Sequence, residues 1–141
     1  MFDLVQQLER KFVNEYIRTN LFGKEWHTRV WLGTFPPGPE MRDFHLVGRW
    51  ADLVVFEPNI ATIIEAKLEP AAKAVGQLLE YKNMFLETPR FSMHVNDQVN
   101  LKLLTSRVDT QVQELCEQQG VDYEVFRPDW VQFYEKQRFR T

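Results

Sequence analysis

Residues 49–81, RWADLVVFEPNIATIIEAKLEPAAKAVGQLLEY, constrain this chain more than any other stretch. Two apolar, β-branched runs flank Pro58-Asn59, a pattern that reads as two strands joined by a tight turn. Centring the turn there puts Asp52 opposite Glu65 for any even-length loop. Proline cannot adopt the positive φ of a primed two-residue turn, so a four-residue loop is expected. Side chains alternate across a strand, so Glu65 and Lys67 project from one face. Asp52 and Glu65 then face each other as like charges with Cβ atoms roughly 4.5–5.5 Å apart, which is destabilising by itself. A divalent cation relieves that repulsion, because hard cations such as Mg²⁺ bind through one or two carboxylates plus water and substrate phosphate. Lys67 adds a second positive group.

A helix is expected to follow, with Pro70 in its first turn, where the missing N–H is not needed. Lys73, Gln77 and Tyr81 recur on it at i, i+4 and i+8 as a polar stripe, while Val75, Leu78, Leu79 and Phe85 supply a buried face. The helix comes directly after the acidic strand, so the stripe is expected to lie over the carboxylates.

The order Asp52, then Glu65-Ala66-Lys67, then Gln77-Leu78-Leu79-Glu80-Tyr81 resembles the PD-(D/E)XK nuclease superfamily, in particular the QxxxY branch seen in RecB-type nuclease domains. Ala51 stands where that pattern has proline before the aspartate, a change that removes no ligand. Another acid-x-lysine triplet, Glu9-Arg10-Lys11, lies in a helical pattern where the geometry is wrong. The resemblance implies a metal-dependent phosphodiesterase acting on DNA and a restriction-endonuclease-like αβββαβ core. Under it, Asp52 and Glu65 hold one or two Mg²⁺ or Mn²⁺ ions, with the Ala66 carbonyl as a third protein ligand. Lys67 orients the attacking water or offsets transition-state charge, and Gln77 and Tyr81 hold Lys67 and the substrate backbone in place. The product carries a 5′-phosphate. Some members place an acid on the first helix as an extra metal ligand, a role carried here to Glu9, with Glu15 as the competitor.

The 141 residues are expected to form one nuclease domain, 1–141. A lone cysteine, Cys116, excludes an internal disulfide. No apolar run reaches about 18 residues, and the opening MFDLVQQLERK is too charged for a signal peptide, so a cytoplasmic protein with no membrane contact is expected. A net charge of −3 argues against holding nucleic acid by bulk charge. Basic residues must therefore cluster, and the candidates are Arg10, Lys11, Arg18, Lys24 and Arg29, then Lys136, Arg138 and Arg140. His27, His45 and His94 have no zinc spacing.

Apolar residues Val5, Leu8, Phe12 and Tyr16 predict an amphipathic helix over 2–19. A strand is expected over 26–35, stopped by Pro36-Pro37-Gly38-Pro39. The long connection to Gly48 carries Arg42 and His45 and exits at Arg49; Arg42 and Arg49 are expected phosphate contacts, with Lys73 a further substrate contact. Later come a strand over 99–105, a helix over 108–119 stopped by Gly120, and a strand over 121–126. The last helix runs to about Arg138, with Asp129 as N-cap or first-turn acid and Trp130, Phe133 and Tyr134 as core packing. This order predicts an α/β fold, a mixed central sheet flanked by helices with an extra C-terminal helix, its opening hairpins antiparallel and its crossover strands parallel. Two other function classes compete: a catalytically silent nuclease-fold subunit serving DNA binding or assembly, and a protein-interaction domain. A homodimer or larger nuclease complex suits an enzyme this small that must cut both strands.

Overall fold

The computed structural model describes residues 4–34 and 48–138. The order is α1 (Leu4–Asn20), β1 (Glu25–Gly33), β2 (Gly48–Glu57), β3 (Ile60–Lys67), α2 (Ala72–Leu86), a short 3₁₀ segment (Pro89–His94), β4 (Gln98–Thr105), α3 (Thr110–Gln119), β5 (Val121–Val125) and α4 (Val131–Arg138). The five strands form one sheet in sequence order, β1 to β3 antiparallel and β3 to β5 parallel. The two parallel steps are those whose connections contain a helix, as crossover geometry requires.

Helices cover both faces. One core gathers Ile63, Leu103, Val75, Leu78, Phe85 and Cys116 between the sheet and α2 and α3. The other gathers Ile64, Leu104, Phe12, Tyr16 and Val131 between the sheet and α1 and α4. Central β3 is buried on both faces, which explains its nearly continuous apolar sequence and why alternation is faint in it. Gly120 stops α3 at φ 71°, as expected of a C-terminal glycine, and Asp109 caps its start by accepting from the Val112 N–H.

Several boundaries differ from expectation. The β2–β3 connection has two residues, not four: Glu57 pairs with Ile60, and Asn59 sits at φ 62°. Proline with φ near −65° at the first corner and a positive φ at the second is the type II combination, which asparagine tolerates. Pro70 lies ahead of α2, whose first residue is Ala72 after an Ala71 N-cap, instead of in its first turn. The segment after Pro89 forms a 3₁₀ turn that buries Phe91 against Phe56 and Phe85, where sequence reading finds only a polar connection. At the start of and within α4, Trp130 and Tyr134 pack on the core as expected, whereas Phe133 is exposed.

The sheet has one irregularity that matters for the site. Thr28 pairs with Leu53 and Val30 with Ala51, while Arg29 and Asp52 between them are skipped, and Arg29 has φ 49°. Val54 and Phe56 point into the α2 core, yet beyond the skipped step Ala51 does so as well. Each strand thus carries one extra residue at the same level. The pairing register survives, and the faces of both strands exchange.

Candidate active site

The exchange releases Asp52 from the β1 ladder, and the β2–β3 pairing stops at Leu53 and Ile64. Beyond that point side chains take over the role of a neighbouring strand. The Ala66 N–H donates to Asp52 Oδ2 at 2.9 Å, and the Leu68 N–H donates to Glu9 Oε2 of α1 at 3.1 Å. Two backbone donors spaced two residues apart point to the same side of a strand, so both carboxylates line the edge that β2 has left.

An open cleft of about 460 Å³ occupies this position. Glu9 and Arg10 of α1 form one wall, Arg29 and Trp50 another, and Asp52, Glu65 and Lys67 meet there. Glu65 is 5% exposed, and its Oε2 is buried with no hydrogen-bond partner among the described residues. Burial drives its pKa far above the ordinary carboxylate range; the neighbouring Asp52 carboxyl pushes the same way, and the nearby Tyr81 and the Lys67 charge oppose it. Asp52 and Glu65 therefore lie close enough to interact, and a proton on Glu65 is one way to hold the two carboxyl groups together. A cation is the other. Among the described residues no three His, Cys, Asp or Glu side chains converge to hold a metal by themselves. The oxygen donors and the unpartnered Glu65 Oε2 nevertheless fit Mg²⁺ or Mn²⁺, which bind through one or two carboxylates and complete their shell with water and substrate.

Tyr81 of α2 is buried, and its hydroxyl donates to the Trp50 carbonyl oxygen at 3.0 Å. Burial first, then the nearby Glu65 charge, raises its pKa, so it stays a neutral donor. It ties α2 to β2 where β2 parts from β3. The other members of the expected stripe sit apart: Gln77 is half-buried, Lys73 is exposed, and neither lines the cleft. Arg49 also lies outside it, its Nε 2.9 Å from Glu80 Oε2 of α2. Arg42 and His45 fall outside the described residues. Between the two α1 acids, Glu9 is at the cleft, whereas Glu15 accepts from Trp130 Nε1 at 2.8 Å. Sequence reasoning overlooked Trp50. Alternation could not supply the signal, because the faces of β2 exchange at Asp52, two residues after it.

Neither a protein-family model nor a curated protein matches the sequence. Solved structures do. A repair endonuclease from Pyrococcus abyssi superposes over 91% of this chain and 49% of its own length, at 15% identity and a TM-score of 0.58. A protein of unknown function matches over 87% of this chain and 61% of its own, at 14% identity and a TM-score of 0.54. EndoMS in a complex with double-stranded DNA matches over 91% and 47%, at 17% identity and a TM-score of 0.53. This chain thus spans about half the length of the two endonuclease structures. At these identities the likeness is one of fold: a mixed five-stranded sheet flanked by helices, as in nuclease-fold proteins. No described helix is long and apolar enough to cross a membrane.

Proposed function

We propose that this chain is a PD-(D/E)XK-type nuclease domain of the QxxxY branch, hydrolysing DNA phosphodiester bonds with Mg²⁺ or Mn²⁺. The observation that carries the reading is the buried, unpartnered Glu65 Oε2 in a cleft shared with Asp52 and Lys67. The fold shared with two endonucleases supports it.

Asp52, Glu65 and the Ala66 carbonyl would hold the cation, with Glu9 beside them. The ion, when bound, supplies Lewis acidity toward the scissile phosphate and the attacking water. The chain's own residues do the rest. The Ala66 N–H bond fixes one Asp52 oxygen and leaves the other directed elsewhere. The Leu68 N–H orients Glu9 in the same way. Lys67 brings a compact positive donor to the phosphoryl oxygens or the water. Tyr81 fixes the carbonyl of Trp50, two residues before Asp52, and so positions the aspartate. Gln77, Lys73, Arg49 and Arg42 are proposed substrate contacts; for Arg49 this requires exchanging Glu80 for a phosphate. The partner is DNA, and a homodimer or larger complex supplies a second site where both strands are cut.

The test is cleavage of end-labelled single- and double-stranded DNA with Mg²⁺, Mn²⁺ or EDTA, beside Lys67→Ala and Glu65→Gln. Metal-dependent cutting is expected, with a loss of about a hundredfold or more in either variant. A folded protein that binds Mn²⁺ and cuts neither substrate would support the silent-subunit alternative instead.

A further inference from the structure

Trp50 is 45% exposed although it belongs to a strand whose other apolar residues are buried, and it opens onto the cleft that holds Asp52 and Glu65. Its ring is held in place. Trp31, its cross-strand partner on β1, packs edge-on with centroids 5.5 Å apart. The Arg29 guanidinium lies over the ring at 5.7 Å. Arg29 reaches that position from a backbone with φ 49°, a conformation unfavourable for a non-glycine residue that persists where surroundings impose it. A rigid aromatic surface, a planar cation against it and a neighbouring pair of carboxylates therefore share one cleft.

Base pairs inside a duplex already stack on both faces and offer no free face to an indole. An unpaired base does, and stacking on aromatic side chains in a basic groove is how single strands are held without sequence preference. The groove continues. Arg10 and Asn14 of the cleft also line a shallow depression on the outer side of α1 with Lys11 and Arg18, where Glu15 is the one acid against three cations. Arg10, Asn14 and Arg18 recur at i, i+4 and i+8, so they form one ridge along the helix. In a chain of net charge −3, that concentration of cations beside the site gives phosphates a path.

We propose that Trp50 and Arg29 form a base-stacking subsite beside the carboxylates, so that the substrate is a strand unpaired at the point of attack, its phosphates leaving over the Arg10 ridge. This rests on the nuclease reading of the same cleft and names its substrate class.

The test compares the protein with Trp50→Ala and Trp50→Phe by fluorescence anisotropy in EDTA. The probes are a labelled oligonucleotide as a single strand, as a blunt duplex, and as a single strand carrying abasic sites. Mn²⁺-dependent cutting by the unaltered protein is measured alongside. The expected result is a single-strand preference that falls about tenfold to hundredfold in Trp50→Ala and largely returns in Trp50→Phe. Abasic sites should weaken the unaltered protein and leave Trp50→Ala nearly indifferent. If the preference survives Trp50→Ala, or abasic sites affect both proteins equally, the stacking subsite is overturned while observed cutting keeps the nuclease reading intact. If the unaltered protein binds neither form and cuts nothing, both fall. Unchanged thermal melting of the variants separates these outcomes from misfolding.

Discussion

The β2–β3 hairpin has two ends built on opposite principles. At the turn end the ladder runs to its last pair, Glu57 with Ile60, and Phe56 sits among Phe85, Phe91 and the His94 ring, centroids 4.2 to 6.2 Å away. At the open end the ladder stops, carboxylates substitute for a strand, and one buried oxygen has no partner. The same two strands thus carry a region that favours closure and a region that resists it. Stability and chemistry are separated by the length of one strand.

Substitutions should reveal this division, and the largest effect lies at the closed end. Phe85 is 1% exposed and stacked on Phe91, so Phe85→Ala should cost about 3–5 kcal/mol in urea unfolding. A loss below 1 kcal/mol would erase the contrast. At the open end, Glu65→Gln should reduce DNA cleavage about a hundredfold, equivalent to about 2.7 kcal/mol of barrier, without lowering the melting temperature. A variant that melts well below the parent would make Glu65 a structural residue.

The pH dependence sharpens the same comparison. Glu65 has a folded pKa raised above its unfolded value, so its contribution is present below the unfolded pKa and declines as pH rises toward the folded one, because the unfolded chain ionises first. In EDTA the parent should lose stability between pH 5 and pH 8 relative to Glu65→Gln, read as diverging urea midpoints. Parallel midpoints would mean that Glu65 ionises normally. Mn²⁺ should raise the melting temperature of the parent by more than that of Glu65→Gln, since binding to the folded state alone stabilises it. The smallest effect belongs to Arg49. Its pair with Glu80 is about half exposed on both sides, and Arg49→Ala should change stability by less than about 1 kcal/mol.

Much of this hairpin was readable from residues alone, for reasons that also mark the limits. The register of the hairpin depends on the centre of the turn and not on its length, so the pairs from Glu57 with Ile60 to Leu53 with Ile64 keep the expected register despite the wrong expectation of a four-residue loop, while the ladder ends one step before Asp52 and Glu65. Glu9 was singled out over Glu15 through the family resemblance, and it lines the cleft. The exchange of faces at Arg29 and Asp52 was not readable, because a positive φ at an arginine leaves no mark on apolar periodicity and only the surrounding packing holds it. Spacing correctly placed Lys73 and Gln77 one turn apart with Tyr81. It could not set how α2 lies on the sheet, where Tyr81 is close to Glu65 while Lys73 and Gln77 do not line the cleft. The Arg42 segment lies outside the described residues, so its expectation stands as made.

The carboxylate acceptors on Ala66 and Leu68 have one further consequence. Elsewhere along β3 an amide proton reports on a neighbouring backbone, whereas these two look directly at carboxyl groups of the cleft. In a ¹⁵N-resolved spectrum they form a pair of internal gauges: the Ala66 resonance follows the state of Asp52, and the Leu68 resonance follows Glu9. Occupancy of the cleft by any cation or phosphate can then be followed residue by residue in the resting protein, with no turnover and no attached label.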